Sequence, residues 1–373
     1  MTKRKKIILA ISMVVVLLGL SVLGWYLSII ISRKKHDYDF NDLNKTVSKV
    51  VLFIGDGMGE NHVKLTSTYY DKPMYMTSLG ISGHITTYSN AIAFPTDSAA
   101  AGSALATGRK YDNGEVARHK GKDIESISEL AKKNGLGVAV VTTDSLTGAT
   151  PASFSSHANN RGDSDDIIKG QLSSNIDLFL GGGKDAYLPY KTSFEERGYT
   201  FSTDYADLSL TSDKIISTYS SVVSTAGTTT APTLEMLTTF AIDYMEHKYP
   251  SGYFIMIEGA HIDKRSHSNK VFEMMEYLNS FDSSIKIAHE KLKTQNVAIM
   301  VTADHETGGL KYTSDKNSIA NNLYTRTGHS DKNVPYYIYL NPSKKLEQEK
   351  IFPSVMDNTD IFKISKHLLI GKV

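Results

Sequence analysis

Six carboxylate and imidazole side chains lie at the ends of apolar stretches or in the segments that follow them. Asp263 and His267 are four residues apart, so on a helix they would share one face and could bind one ion. Asp304 and His305 are adjacent and closely follow an apolar stretch. Asp56 and His329 complete the set. Nitrogen and oxygen ligands of this kind suit two divalent ions with open coordination positions, an arrangement that supports phosphoryl transfer.

The best candidate for a nucleophile is Ser98, in the stretch FPTDSAAAGSALATG at 94–108. A helix is predicted to begin at Ser98, and a helix N-terminus favours a bound anion. A nearby divalent ion would lower the pKa of the serine hydroxyl, and the small neighbours would leave room for phosphate and metal. Arg161 could bind two phosphate oxygens through its planar guanidinium group. Taken alone, the small residues also fit a tight helix–helix contact, and an arginine that follows a polar stretch, as Arg161 does, more often lies on the surface.

The glycine-rich stretch IGDGMG at 54–59 invites comparison with a dinucleotide-binding loop. Its spacing is G-x-G-x-G, and Asp56 would repel a pyrophosphate unless a metal ion were bound. As a metal ligand Asp56 fits, because the glycines allow the backbone to turn tightly around it. Taken singly, an Asp–His pair is often a surface contact or a buried hydrogen bond, and a loop histidine such as His329 is usually solvated. The prediction of a metal site therefore depends on the whole set.

Five apolar stretches are predicted to be β-strands. They are 50–54, 138–142, 176–180, 253–257 and 297–301. They alternate with segments predicted to be helices at 123–134, 231–248 and 267–295, and 217–230 is predicted to be a surface loop. This alternation predicts an α/β fold, a three-layer α/β/α sandwich with a mostly parallel central sheet. Such sheets bind ligands at the carboxyl ends of their strands, where Asp56, Glu258 and Asp304 fall.

The N-terminal segment differs from the rest of the chain. Residues 7–32 are uncharged and mostly apolar, long enough to cross a bilayer as a helix, and have basic residues on both sides. They are predicted to be an uncleaved transmembrane signal anchor, after a basic cytoplasmic tail at 1–6 and before a linker at 33–47, with one large domain at 48–373. The alternative is a cleaved signal peptide, although no clear small-x-small cleavage site ends the apolar run.

The composition excludes two classes of function. The 373 residues include no cysteine, so disulfides and thiolate chemistry are excluded. Residues 1–35 hold seven of the 41 Lys and Arg and none of the 40 Asp and Glu, which leaves 34 basic against 40 acidic residues in the remainder. A domain with this acidic balance is not a general nucleic-acid binder.

Seven motifs together resemble those of the metal-dependent alkaline phosphatases, and they occur in that family's order. They are IGDGMG (54–59), TDSAAAGSALATG (96–108), ATPASFSSHANNR (149–161), LGGG (180–183), EGAHIDKRSH (258–267), TADHETGG (302–309) and TGH (327–329). Their combination is highly specific, and they extend over nearly the whole of the predicted domain.

The resemblance implies a role for each matching residue. Ser98 looks like the nucleophile that forms a phosphoserine intermediate, Arg161 like the arginine that holds phosphate, and Lys264 like a residue near phosphate. The implied metal ligands are Asp263, His267 and His329 for one zinc ion, Asp56, Asp304 and His305 for a second, and Asp56, Thr150 and Glu258 for a magnesium ion. Gly148 departs from the family pattern, in which an Asp or His there usually supports the magnesium site, so a weaker or differently occupied site is expected.

The resemblance implies that the chain hydrolyses phosphate monoesters with broad specificity, and that its biological role is phosphate scavenging. Together with the predicted anchor, the resemblance implies a catalytic domain held at the cell membrane outside the cytoplasm. The resemblance also implies the ability to form a homodimer. A phosphodiesterase is the nearest alternative, since it shares the two-metal core but lacks the magnesium ligands. A sulfatase is disfavoured because no C/S-x-P-x-R sequence surrounds Ser98. A surface protein that binds phosphate without turnover is the alternative from another class.

Overall fold

Residues 3–32, 38–92, 94–342, 347 and 351–371 are described by the computed structural model of the chain. The chain divides into two compact units, Met1–Asp37 and Tyr38–Val373. The described part of the first unit is a helix, α1 (Lys3–Ser32). The second unit holds the sheet and every residue predicted to do chemistry.

Helix α1 begins at Lys3, inside the predicted basic tail, so its bounds differ from those of the predicted span at 7–32. Within the part of the chain that the structure describes, no helix has both the length and the apolar character that crossing a membrane requires. The predicted transmembrane signal anchor is therefore not supported. The basic residues at 33–35, predicted to flank the anchor, lie outside the described residues.

The second unit begins before the domain boundary predicted at residue 48. Phe40 and Leu43 are buried in its core, and a short 3-10 helix spans Asn41–Leu43. Lys45 donates its backbone N–H to the carbonyl oxygen of His367 at 2.7 Å. Residues 38–47, predicted to belong to the linker, are therefore part of the folded unit because their apolar side chains cover the core.

The second unit alternates strands and helices along most of its length. Its strands are β1 (Lys49–Ile54), β2 (Ile81–Thr86), β3 (Arg118–His119), β4 (Lys122–Asp123), β5 (Gly137–Ser145), β6 (Leu178–Gly182), β7 (Tyr199–Ser202), β8 (Lys214–Tyr219), β9 (Tyr253–Glu258), β10 (Val297–Thr302), β11 (Glu306–Thr307), β12 (His329–Ser330), β13 (Val334–Asn341) and β14 (Val355–Asp357). Its helices are α2 (Glu60–Tyr70), α3 (Ser98–Thr107), α4 (Ile127–Lys133), α5 (Ala149–Ser153), α6 (Ser164–Ser173), α7 (Lys184–Tyr187), α8 (Lys191–Glu196), α9 (Leu234–Lys248), α10 (His261–His267), α11 (Val271–Leu292) and α12 (Thr359–Leu369).

Ten of these strands form one sheet, in the order β14-β2-β13-β10-β1-β9-β5-β6-β8-β7. All neighbours from β10 to β7 are parallel. Strand β13 is antiparallel to both β10 and β2, and β14 is parallel to β2. Strands β1, β9 and β10 are buried along their whole length, as strands covered on both faces must be. The predicted α/β fold with a mostly parallel central sheet is confirmed.

The register of the central strands brings their carboxyl ends to one place. Ile54, the last residue of β1, pairs with Glu258 of β9 on one side and with Thr302 of β10 on the other. Asp56 and Asp304 lie two residues beyond the ends of β1 and β10. These polar side chains, distant along the chain, therefore meet at one edge of the sheet.

Several predicted elements differ from the structure at one end; the helix predicted at 123–134, for example, starts at Ile127, and Asp123 belongs to strand β4. The loop predicted at 217–230 begins too early, because β8 continues to Tyr219 and pairs with β6. The helix predicted at 267–295 also begins too early, because α10 ends at His267 and α11 starts at Val271. Between them Asn269 has a φ of 54°, a left-handed conformation that interrupts a helix and that asparagine tolerates well.

Helix α3 presents Ser98 as its first residue. The Asp97 side chain caps the helix by accepting the backbone N–H of Ala100 at 2.9 Å. Every residue of α3 is buried. A Cβ on Gly102 would lie 3.3 Å from Cα of Thr150, so the small residues allow α3 and α5 to pack closely. The small-residue run thus serves a tight helix contact as well as the position of Ser98.

Replacing Asp357 with Asn is expected to destabilise the sheet edge by about 3 kcal/mol, because it breaks a buried ion pair. Asp357 Oδ2 lies 2.9 Å from Lys110 Nζ, and Oδ1 accepts hydrogen bonds from the backbone N–H and hydroxyl of Thr359. Burial acts to raise the pKa of Asp357, but Lys110 and Thr359 together lower it below its usual value. The pair therefore stabilises the fold above about pH 4 and the stabilisation is lost as the pH falls further.

Urea unfolding at neutral and acid pH measures this effect. The matched control is Glu125→Gln, which breaks the exposed ion pair with Lys133 and should change the unfolding free energy by less than about 1 kcal/mol. Equal losses in the two variants would contradict the assignment of a stabilising role to the Asp357 pair.

Candidate active site

Asp263, His267 and His329 meet between helix α10 and strand β12. Their ligand atoms lie within 4.8 Å of one another. Nε2 of His267 is 3.3 Å from Oδ2 of Asp263, one turn away on α10. Nε2 of His329 is 3.1 Å from Nε2 of His267. The structure thus brings together the three residues implied for the first zinc ion.

Backbone carbonyls determine which nitrogen of these imidazoles is protonated. Nδ1 of His329 lies 2.7 Å from the carbonyl oxygen of Thr96, and Nδ1 of His267 donates to the carbonyl of Thr327. A carbonyl only accepts, so each Nδ1 carries a proton and each neutral ring presents a lone pair on Nε2. Two lone pairs that face each other at 3.1 Å repel unless a proton or a metal cation lies between them. The arrangement therefore fits a metal ion, and its ligand types fit zinc.

A second group surrounds Nε2 of His305. Ser98 Oγ lies 3.1 Å from this nitrogen, Asp304 Oδ2 lies 3.3 Å from it and Asp56 Oδ1 lies 3.5 Å from it. Asp56 Oδ1 and Asp304 Oδ2 are buried and make no hydrogen bond within the described ranges. Buried carboxylate oxygens normally have a partner, so these two fit a second cation beside Ser98. Asp263 also lies within ligand distance of Asp56 and His305, so the two groups are neighbours.

The third implied group consists of Asp56, Thr150 and Glu258. Thr150 Oγ1 is buried and makes no hydrogen bond of normal geometry to a described residue. It lies near Glu258, and its hydroxyl acts to lower the pKa of that carboxyl. Glu258 accepts a hydrogen bond from Thr142 and raises the pKa of Asp56 through its charge. All three potential ligands are oxygens, and magnesium prefers such a set.

Burial and repulsion by neighbouring carboxylates raise the pKa values of three carboxyl groups in the site. Burial, followed by the charge of a nearby carboxylate, raises the pKa of Asp304 to about 7 and that of Glu258 to about 8. Burial, followed by the charge of Asp304, also raises the pKa of Asp56 well above its usual value. Burial lowers the pKa of the His305 imidazole well below its usual value, which keeps the ring neutral and able to bind a metal. Divalent cations would compensate this concentration of like charge.

Arg161 lies beside the nucleophile although it is distant from it along the chain. Its guanidinium Nη1 is 3.2 Å from Oδ2 of Asp97, the residue before Ser98. The Arg161 side chain is 41% exposed, so a substrate can reach it, whereas Ser98 is only 4% exposed. Together with the N-terminus of α3, the guanidinium makes this position suitable for an anion.

Two residues that contact the site are missed by sequence reasoning. Asp144, near the end of β5, accepts a hydrogen bond from the ammonium group of Lys264. The hydroxyl of Thr307 lies 2.5 Å from Asp263 Oδ1 and 3.2 Å from Nδ1 of His305, so it links the two ligand groups. Asp144 follows the apolar stretch 138–142, and its place after a strand was the signal available for it.

Two relatives that are similar to this chain in sequence are named alkaline phosphatases. The chain is 30% identical over 306 residues to Alkaline phosphatase 4 of Bacillus subtilis, covering 74% of this chain and 64% of that protein. It is 31% identical over 300 residues to Alkaline phosphatase 3 of the same organism, covering 72% of this chain and 63% of that protein. The chain thus spans a little under two thirds of the length of these relatives.

A solved structure is also similar over most of the chain. The alkaline phosphatase from the Antarctic bacterium TAB5 matches with a TM-score of 0.76 and 27% identity, covering 88% of this chain and 100% of that one. The family model described as alkaline phosphatase matches residues 47–213 and 218–365. These ranges include the nucleophile candidate and every implied metal ligand. The chain belongs to the alkaline phosphatase family.

Proposed function

We propose that this chain hydrolyses phosphate monoesters to an alcohol and inorganic phosphate, through a phosphoserine intermediate on Ser98. One observation carries the proposal: Ser98 Oγ lies 3.1 Å from His305 Nε2, at the start of α3 and beside the carboxylates of Asp56 and Asp304. A metal ion held by these ligands would lower the pKa of the hydroxyl so that it can lose its proton, and the helix N-terminus favours the phosphoryl group. The groups that converge there recognise phosphate rather than the alcohol, which supports broad specificity and phosphate scavenging.

The proposed reaction has two displacement steps at phosphorus. Ser98 Oγ, with its proton released to solvent, forms a bond to phosphorus while the bond to the ester oxygen breaks, and the alcohol leaves with a proton taken from water. Water then attacks the phosphoserine, the bond between Oγ and phosphorus breaks, and the serine regains a proton as phosphate leaves. Arg161 and the first N–H groups of α3 bind the non-bridging oxygens in both steps. Donors fixed in advance in this way supply much of the transition-state stabilisation.

We propose two zinc ions and one magnesium ion as cofactors. The zinc ligands would be Asp263, His267 and His329 for one ion and Asp56, Asp304 and His305 for the other, with Asp56, Thr150 and Glu258 for magnesium. When bound, the zinc ions supply a lowered pKa for a neighbouring hydroxyl and stabilisation of negative charge on oxygen. The facing imidazole nitrogens and the buried oxygens without partners support this assignment.

Hydrolysis of a chromogenic phosphate monoester and of the matching diester by the purified chain tests the proposal. With zinc and magnesium present, we expect monoester turnover to exceed diester turnover. A chelator should abolish it, and the two metals should restore it. Faster diester turnover would instead indicate a phosphodiesterase. Phosphate binding without turnover of either ester would indicate a binding protein, and either result would contradict the proposal.

The cellular location and the assembly are further proposals. A catalytic domain at the cell membrane, outside the cytoplasm, is proposed from the sequence alone, in which the uncharged segment 7–32 has basic residues on both sides. No helix among the described residues meets the requirements of a membrane span, so this proposal has no support from the structure. Protease added to intact cells should then degrade the domain, and protection until lysis would contradict this location. Membership of the family supports a homodimer, which sedimentation of the purified chain would detect.

Replacing Thr307 with Val is expected to weaken zinc binding about 10- to 100-fold. The Thr307 hydroxyl donates to Asp263 Oδ1 and accepts from Nδ1 of His305, so it orients one ligand of each proposed zinc ion. Valine has nearly the same shape as threonine but cannot make either hydrogen bond. Competition with a fluorescent zinc chelator measures the change.

The matched control is Thr307→Ser, which keeps the hydroxyl and should bind zinc within a few-fold of the unmodified chain. Similar zinc affinities for the valine variant and the unmodified chain would show that Thr307 does not orient the ligands. Thr307 is fully buried, so a thermal unfolding measurement on both variants should accompany the titration.

A further inference from the structure

The carboxylate of Asp144 occupies the space beside Gly148. A Cβ added to Gly148 would lie 2.9 Å from Asp144 Oδ2 and 2.9 Å from the carbonyl oxygen of Ser145. A side chain at position 148 would therefore displace Asp144 or the backbone next to it. Gly148 precedes helix α5, which carries Thr150, so Asp144 fills a space close to the proposed magnesium ligands.

Asp144 is held in this place by a chain of hydrogen bonds. Its backbone N–H donates to Thr142 Oγ1 at 2.9 Å, and the hydroxyl of Thr142 donates in turn to Glu258. Its side chain accepts from the ammonium group of Lys264. The C-terminal end of strand β5 is thereby hydrogen-bonded to Lys264, the residue that follows the proposed ligand Asp263 on helix α10.

We propose that Asp144 is a positioning residue, which holds the ammonium group of Lys264 at the edge of the site formed by Ser98, Arg161 and the metal ligands. The inference rests on the proposed phosphatase function, because the fixed positive charge is useful only if phosphate binds there. A free lysine side chain samples many rotamers, and ordering it on substrate binding would cost affinity. The contact with Asp144 orders Lys264 before the substrate arrives.

The solvent exposure of Lys264 and Asp144 indicates that their ion pair contributes little to the stability of the fold. The side chain of Lys264 is 46% exposed and that of Asp144 is 27% exposed, and exposed ion pairs add little to stability. Loss of the pair should therefore leave the fold intact and change the binding of phosphate. Removing the Asp144 charge should also act in the opposite direction and strengthen phosphate binding, because it takes a negative charge away from a site that binds an anion.

A double-mutant cycle on the metal-loaded full chain separates these two effects. The variants are Asp144→Asn, Lys264→Met and the two combined, and the readout is the dissociation constant of inorganic phosphate measured by calorimetry. In the unmodified background, Asp144→Asn should weaken phosphate binding about 3- to 10-fold, because Lys264 is no longer held in place. In the Lys264→Met background, the same change should leave phosphate binding unchanged or make it tighter, because only a negative charge is lost.

The control is Asp213→Asn, which breaks a similar surface ion pair with Lys248 at 3.0 Å on another part of the unit. It should leave phosphate binding and turnover unchanged. Equal weakening by Asp144→Asn in both backgrounds would overturn the proposal, because Asp144 would then act without Lys264. Unchanged binding in the unmodified background would overturn it as well. A chain that neither binds phosphate nor turns over a monoester would instead refute the proposed function, and this inference with it.

Discussion

Replacing Ser98 with Ala is expected to reduce monoester turnover on the order of 10³-fold or more, because it removes the atom that forms the bond to phosphorus. The fold should be retained, since Ser98 is the first residue of α3 and alanine is well tolerated in a helix. The metal groups should also persist, because their carboxylate and imidazole ligands are unchanged. Steady-state kinetics on protein with verified zinc and magnesium content measures the loss.

Ser103→Ala is the matched control, since it makes the same substitution in the same helix. Ser103 Oγ lies 3.1 Å from Ser153 Oγ and accepts the backbone N–H of Ala117, and it contacts none of the proposed ligands. This variant should unfold at a lower temperature but keep its turnover per folded molecule. Comparable turnover by Ser98→Ala and the unmodified chain would exclude Ser98 as the nucleophile.

Removing the metal ions is expected to make the stability of the fold fall as the pH rises from about 7 to about 8, where buried histidines such as His305 are neutral in both the folded and the unfolded state. In the metal-free protein the pKa is raised to about 7 for Asp304 and to about 8 for Glu258, chiefly by burial, and it is raised for Asp56 too. The folded state therefore keeps protons that the unfolded state has already released at these pH values. The contribution of these carboxyls is fully present below their unfolded pKa values and is lost as the pH rises through the folded ones, by about 1 to 2 kcal/mol between about pH 7 and about pH 8. Below about pH 7 the buried His62, His261 and His305, whose pKa values are lowered by burial, act in the opposite direction.

Urea unfolding of chelator-treated protein at several pH values between about 7 and about 8 measures this slope. Zinc and magnesium should abolish it, because the bound ions keep the carboxylates ionised in the folded state. Asp304→Asn provides a control in the metal-free protein: it removes one carboxyl from the cluster and should make the slope shallower. A metal-free protein whose stability does not change over this pH range would contradict the proposed charge cluster.

The parallel part of the sheet is predictable from the sequence because its strands are buried on both faces. Strands β1, β9 and β10 appear as continuous apolar stretches that end near polar residues. Strand β13 is not predictable in this way, because buried and half-buried residues alternate along part of it and it runs antiparallel at the side of the sheet. The start of the folded unit is also missed, because Phe40 and Leu43 are too few to form a periodic pattern.

The candidate site is predictable to the extent that its residues follow strand ends or belong to recognisable motifs. Asp56, Glu258 and Asp304 fall at one edge of the sheet for the first reason. The contacts of Asp144 and Thr307 could not be predicted, because each depends on the side-chain conformation of a residue from another segment. Hydrogen bonds between distant segments leave no periodic signal in the sequence.

Analysis of the covalent state of Ser98 during turnover tests the central claim most directly. The metal-loaded chain is mixed with a phosphate monoester, quenched rapidly in acid, digested and examined by mass spectrometry. We predict phosphate on the peptide that contains Ser98, assigned to that hydroxyl by fragmentation, and no modified peptide from Ser98→Ala. Monoester turnover with phosphate on a different residue, or with no phosphorylated peptide under any quench condition, would contradict the account.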